Sequence, residues 1–267
     1  MSWLIYIFVA GLIVGSFVNV VIHRVPLGQS IVGGRSHCPY CRAKLAWYDL
    51  IPVISFLILA GRCRACGKKI SPAYPAIEVY SGFIAVMSYW LFAGSGWIAW
   101  ISGAFILELL LILAVIDFRH LILPDSLLII LLVGAVAWSM LQKMIGPAGS
   151  WQIFDISSLA GAGVLVAIFF LVWLLSRGRG LGLGDVKLTG IIGLIFGFWG
   201  GLIVLYLAVA AGAMLGLILL LTHRAGLKTK LPFGTLICAS ATFYVLGGEA
   251  VFSSLGRFFY VIPAVLK

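Results

Sequence analysis

The chain has 267 residues, of which 63% are hydrophobic and 10% are charged, with a formal net charge of +10. Soluble domains carry about 25% charged residues, so this composition excludes an ordinary soluble protein and points to an integral membrane protein. The positive charge does not point to nucleic acid, because the basic residues sit in the connections between apolar runs.

In chain order, residues 3–21 form a first apolar run long enough to cross the hydrocarbon core. It has no charged region before it and no small-residue cleavage site after it, so it is expected to be a retained span. A polar stretch, residues 23–75, then carries four of the five cysteines and eight of the 18 Lys+Arg. Further apolar runs follow at 76–91, 97–116, 127–141, 157–175, 186–198, 201–221 and 233–246. The expected fold is therefore all-α, a polytopic membrane protein with about eight transmembrane helices and a small zinc-ribbon-like cytoplasmic loop domain. Three parts are expected: a first transmembrane helix (1–22), a cytoplasmic four-cysteine loop (23–75) and a membrane domain (76–267). The last run, 251–266, contains Arg257 and Pro263 and either continues the eighth helix or lies at the interface. There is no convincing internal repeat.

Orientation follows from the Lys/Arg bias. With the first loop in the cytoplasm, only Lys143, Arg257 and Lys267 fall on the opposite side, which leaves 15 of the 18 on the cytoplasmic side.

Cys38-Pro39-Tyr40-Cys41 and Cys63-Arg64-Ala65-Cys66 are two C-x-x-C knuckles with 21 residues between Cys41 and Cys63. Two such pairs complete a closed tetrahedral thiolate set, the usual structural zinc arrangement. A pair of redox disulfides is the competing reading. A reducing cytoplasmic face and the lack of a thioredoxin-like βαβ pattern favour zinc. Cys238 lies alone in an apolar run and is expected to pack.

The chain has only 8 Asp+Glu, so acids at span ends need a reason. Asp117 ends the third span, where the helix dipole disfavours an anion. Asp185 opens the sixth, in Gly182-Leu183-Gly184-Asp185-Val186-Lys187. The topology puts both on the cytoplasmic side at one membrane depth. Asp185 can be read as an N-cap, but Gly182 and Gly184 beside it let a substrate backbone come close. Asp125, after Pro124, has a sufficient reason as a first-turn acid. Two neighbouring carboxylates that share one proton are the equipment of aspartyl proteolysis. Neither H-E-x-x-H nor G-x-S-x-G occurs, and two carboxylates with His120 fall short of a good zinc set. Glu108, nine positions before Asp117, points to the opposite helix face and reads as an interhelical hydrogen-bonding group. The stretch Gly178-Arg179-Gly180-Leu181-Gly182 mimics a dinucleotide fingerprint but follows no strand. Two other readings use the same features: a non-enzymatic zinc-containing membrane assembly protein, and a proton-coupled transporter with Asp117 and Asp185 as a relay.

Over almost its full length the chain resembles bacterial type IV prepilin peptidases, also called leader peptidases and N-methyltransferases. The resemblance rests on Gly15-Ser16-Phe17-Val18-Asn19-Val20-Val21-Ile22-His23-Arg24, the two knuckles, and Tyr74-Pro75-Ala76-Ile77-Glu78. It continues in Asp117 with Leu123-Pro124-Asp125, in Gly182–Lys187, and in Pro232-Phe233-Gly234-Thr235. It implies cleavage of the leader from type IV prepilins or type II secretion pseudopilins at the cytoplasmic face of the inner membrane. Methylation of the new N-terminus with S-adenosylmethionine then follows. The family's catalytic aspartates map onto Asp117 and Asp185, with Gly182, Gly184 and Lys187 as supporting residues of the motif. Asp117 is preferred to Asp125 because related preflagellin peptidases keep the first position and vary the second. The cysteine loop, absent from those relatives, implies the methylating form.

Candidates for methyl transfer are Glu78, Asn19, His23, Arg24, Asp49 and Gly61. Glu78 would accept the substrate ammonium or assist its deprotonation; its other reading is a first-turn acid. His23 and Arg24 also suit a membrane boundary. Asp49 and Gly61 flank the apolar patch 50–60, which suits docking on the membrane. Membrane lipid and the prepilin or pseudopilin are the expected partners.

Overall fold

The structure, a computed structural model, describes residues 2–145, 156–178, 180–222 and 231–247. The expected run 251–266 lies outside the described residues, as do Arg179, Arg224, Lys228, Lys230, Arg257 and Lys267. The helices are α1 (Ser2–Arg24), α2 (Ile54–Ile58), α3 (Ala73–Phe92), α4 (Trp97–His120), α5 (Asp125–Ile145), α6 (Ile156–Leu175), α7 (Leu183–Leu221) and α8 (Phe233–Gly247). Among the described residues there is no strand, only two isolated β-bridges. Five helices are long and apolar enough to cross a membrane, and α8 and the 125–138 part of α5 are shorter apolar helices. This is the multi-pass, all-helical architecture expected from composition.

Helix α7 has 39 residues. At 1.5 Å per residue it would run about 58 Å, twice the hydrocarbon thickness. It does not run straight. Gly197 has φ 69° and ψ −175°, a conformation open essentially to glycine alone. Beyond it the chain doubles back: a Cβ placed on Gly201 would lie 3.2 Å from the Cα of Gly193, although an unbroken helix separates positions eight apart by about 12 Å. Residues 183–196 and 198–221 are thus two arms of a helical hairpin. Counting the arms separately, the eight expected apolar runs are all helical.

The chain divides into two compact units, Met1–Ser150 and Trp151–Lys267. In the first, α1 packs antiparallel on α3 through glycines that bring the backbones together. A Cβ on Gly11 would meet Gly82 Cα at 2.7 Å, and one on Gly15 would meet Glu78 Cα at 2.6 Å. Small residues at helix contacts allow such approaches where the surrounding lipid supplies no hydrophobic drive. Ser81 Oγ on α3 donates to Glu108 Oε2 on α4 at 3.0 Å, so Glu108 is the interhelical group expected of it. Ile22, Leu107, Leu110, Leu113, Ile116 and Leu131 form the fully buried centre of this unit. In the second unit, α6 lies against both arms of α7 through Gly161, Gly190, Gly193 and Gly201. Phe196 on the first arm packs edge-on to Tyr244 of α8 at 5.1 Å. Cys238 is buried with 1% exposure in this core, as packing required.

Candidate functional site

The four-cysteine cluster is built by one short hairpin used twice. In the first knuckle Cys38 N–H donates to Ala43 O at 3.0 Å and Arg42 N–H to Cys38 O at 2.9 Å. In the second, Cys63 N–H donates to Lys68 O and Gly67 N–H to Cys63 O, both at 2.9 Å. Arg42 and Gly67 occupy the same place in each and both have left-handed φ, 57° and 69°. The bridges His37–Lys44 and Arg62–Lys69 close the two hairpins identically. This local repeat, Cys-x-x-Cys-x-x-Lys, is short enough to escape a search at whole-domain scale.

All four sulfurs lie within 4.8 Å of one another, and Cys38 Sγ is 3.9 Å from Cys66 Sγ. A tetrahedron with 2.3 Å Zn–S bonds has edges of about 3.8 Å. The set therefore fits a four-thiolate zinc ion and is far too open for disulfides. Backbone N–H groups of Cys41 and Tyr40 aimed at the Cys38 sulfur outweigh burial and lower that thiol to about 6. The Lys68 amide lowers the Cys66 thiol, but burial and three neighbouring sulfurs outweigh it and push it up to about 11.

Next to this cluster lies a cavity of about 960 Å³, bounded by the inner ends of α1 and α3, both knuckles and α2. Its size is at the upper end of small-molecule sites. Five sequence candidates line it: Asn19, His23, Arg24, Asp49 and Glu78. Asn19 Nδ2 donates to Tyr74 O at 3.1 Å, which ties α1 to the start of α3. The His23 ring stacks on Tyr74 at 5.1 Å and accepts from Arg119 Nη1 at 3.4 Å. Arg24 donates to the carbonyls of Ser30, Gly33 and Gly34 and so folds the first stretch of the loop. Asp49 pairs with Arg64 at 2.9 Å and closes the 3-10 turn Trp47–Leu50 through Ala46 N–H. Glu78 Oε2 accepts from Val53 N–H at 2.8 Å.

Gly61 does not line the cavity. Its φ of +67° makes the turn after α2, and a Cβ there would meet the Phe56 ring at 2.9 Å; Phe56 is the residue that lines the wall. Tyr74, Tyr48, Phe56 and Arg119 are among the other lining residues and were not singled out for this site from sequence. For Arg119 a signal existed, because it lies two residues beyond Asp117 on α4.

Asp117, in the first unit, is 5% exposed near the end of α4. Its carbonyl accepts from Leu121 N–H at 2.8 Å, and Arg119 and His120 in the same turn offset the helix dipole. Asp185, in the second unit, is half-buried at the third position of α7. The helix cap is Gly182, and Asp185 Oδ2 accepts from the Gly182 N–H at 3.0 Å. One oxygen thus performs the reach-back of a capping box rather than that of an N-cap. Gly182 and Lys187 are exposed around it. Asp125 opens α5 as a first-turn acid.

Fold and site together define a multi-pass helical membrane protein with a four-cysteine cluster of metal-binding geometry beside a ligand-sized cavity, and with acids at the ends of apolar helices. The chain belongs to the type IV leader peptidase family. Residues 9–92 match the bacterial peptidase A24 N-terminal domain and residues 104–217 match the type IV leader peptidase family. It is 33% identical over 252 residues to a prepilin leader peptidase/N-methyltransferase of Bacillus subtilis, covering 92% of this chain and 95% of that one. It is 37% identical over 202 residues to the protein of that name from Klebsiella pneumoniae, covering 73% of this chain and 86% of the other. With the one from Myxococcus xanthus it shares 40% identity over 233 residues, 85% of this chain but 66% of that longer relative. No solved structure matches.

Proposed function

We propose that the chain is a membrane aspartyl endopeptidase that removes the leader of type IV prepilins or type II secretion pseudopilins at the cytoplasmic face of the inner membrane and then N-methylates the new N-terminus. The observation that carries this reading is where the family matches fall. The peptidase match spans both Asp117 and Asp185, and the N-terminal match spans the cysteines and every cavity-lining residue but Arg119.

Asp117 and Asp185 are the catalytic pair, sharing one proton. The ionised carboxylate takes a proton from water as the water attacks. The protonated one donates to the scissile carbonyl oxygen. Asp117 is buried near the end of α4, and Asp185 Oδ2 is held by the Gly182 N–H at 3.0 Å. Gly182 and Gly184 leave room for the substrate backbone, and Lys187 flanks it on the exposed side. A cleavage point at the membrane surface suits a substrate whose apolar helix stays in the bilayer while its basic leader waits in the cytoplasm.

Methyl transfer is assigned to the cavity. S-adenosylmethionine, when bound, supplies an electrophilic methyl group. Glu78 would hold the new N-terminal ammonium and take up its proton. Asn19, His23 and Arg24 shape the α1 side of the cavity, and Asp49 with Arg64 fixes the opposite rim. Zinc on Cys38, Cys41, Cys63 and Cys66 would be structural, because all four positions are thiolates and none is left for water.

The test is the intact mass of a prepilin coexpressed with this chain. Loss of the leader together with one added methyl group supports both activities. An uncut prepilin alongside well-expressed protein overturns the reading.

A further inference from the structure

The loop joining α1 to α3 does not stand wholly clear of the membrane. Val53, which opens α2, is fixed by its hydrogen bond to Glu78. Glu78 lies five residues beyond Ala73 along α3, about 8 Å down the helix axis. Gly15 of α1 packs at the same level, nine residues and about 13 Å before Arg24. Both rulers put α2 below the ends of the two spans that carry it. The α3 ruler falls within the depth of about 5–10 Å at which interfacial amphipathic helices lie, and the α1 ruler a little beyond it.

The side chains divide accordingly. Ser55, Phe56 and Leu59 line the cavity. Ile54, Leu57 and Ile58 occupy the other face and are 55%, 68% and 73% exposed. Their i, i+3, i+4 spacing is one stripe of a helix. Trp47, in the 3-10 turn before α2, is 78% exposed, and tryptophan is a residue of the membrane interface. Charge agrees with an anionic headgroup layer. Between residues 25 and 72 there are seven Lys+Arg (Arg35, Arg42, Lys44, Arg62, Arg64, Lys68, Lys69) and one acid (Asp49), a difference of +6. Basic segments beside spans are drawn to anionic lipid.

We infer that residues 47–60 form an interfacial element whose Trp47 and outer stripe of Ile54, Leu57 and Ile58 are seated in an anionic bilayer, so that α2 is the wall between the cavity and the lipid. This rests on α1 and α3 being membrane spans and not on the reaction assigned to the cavity. The occupant is lipid, not a soluble partner.

The experiment uses the unmodified full chain in nanodiscs, with a photoreactive diazirine in the acyl chain of either phosphatidylglycerol or phosphatidylcholine. Adducts are mapped by peptide mass spectrometry. The expected result is labelling of Ile54, Leu57 and Ile58 comparable with that of Ile13 and Phe83, two exposed residues on the spans. It should be at least tenfold above Val32, a 93% exposed residue of the loop. Phosphatidylglycerol should label the element several-fold more than phosphatidylcholine. Labelling of 47–60 at the Val32 level overturns the insertion, and so does protection that appears only when a prepilin is added. Equal yields from the two lipids overturn the anionic preference.

Discussion

Replacing Glu78 by alanine removes the hydrogen bond that ties α3 to the start of α2, the 2.8 Å bond from Val53 N–H. A hydrogen bond to a charged group contributes about 1.5–3 kcal/mol. Val53 also holds φ 60° and ψ −47°, a strained conformation for a β-branched residue that costs about 1–3 kcal/mol. The bond and the strain are of similar size, so without the bond the strain favours release, opposed by the packing of Phe56 and Leu59 on the cavity wall and by the outer stripe in lipid. The docked position of α2 should weaken by about ten- to 100-fold, and Phe56 and Leu59 should leave the cavity wall. With a coexpressed prepilin, intact mass should then show leader removal close to the unsubstituted level and methylation down at least tenfold. Glu78→Gln keeps an acceptor oxygen and should keep the loop docked, as read by limited proteolysis. It should still methylate poorly, because an amide cannot take the proton of an ammonium. An alanine variant that methylates normally refutes the reasoning. So does one that loses cleavage and methylation in step while remaining well expressed.

The zinc assignment predicts about one zinc per chain in freshly reduced protein. Cys63→Ser should lose most of it and make the 36–70 loop protease-sensitive, because the two hairpins have few apolar contacts of their own to hold them; metal-free wild type with an intact loop would contradict this. Gly197→Ala should destabilise the detergent-purified protein by about 1–3 kcal/mol, since alanine cannot adopt that reversal without strain. An unchanged melting temperature would argue against the hairpin.

Much of this was legible in the sequence because bilayer physics leaves few choices. Runs of about 20 apolar residues are helices or nothing, and the eight runs are all helical. The cysteine spacing carried the gathering of four sulfurs within 4.8 Å of one another, since two C-x-x-C pairs are the pattern of a tetrahedral thiolate set. Glu108 was readable from its phase on α4. The Gly197 reversal was harder, because one glycine among 32 carries no mark of positive φ, although the run 186–198 before the reversal is short for a span. The knuckle repeat hid behind differing residues: Arg42 stands where Gly67 stands, and a left-handed arginine is not something a pattern announces. The candidates for methyl transfer were scattered over 60 positions, from Asn19 to Glu78. The convergence of five of the six, all but Gly61, on one cavity depends on the close α1–α3 crossing and on α2 folding back to Glu78, which are tertiary facts. Asp185 reads from sequence as an N-cap, whereas its Oδ2 accepts from the N–H of Gly182, the residue that caps the helix; which residue takes the cap position is a local geometry that the sequence pattern leaves open.

The central claim is the aspartyl pair, and it is tested most directly by prepilin cleavage with Asp117→Asn and Asp185→Asn, each checked for expression and membrane insertion. Asparagine keeps the size and one carbonyl oxygen but cannot exchange the shared proton. The account predicts that each variant alone lowers cleavage by about 100-fold or more while zinc content stays unchanged. Near-normal cleavage by either well-expressed variant would contradict it.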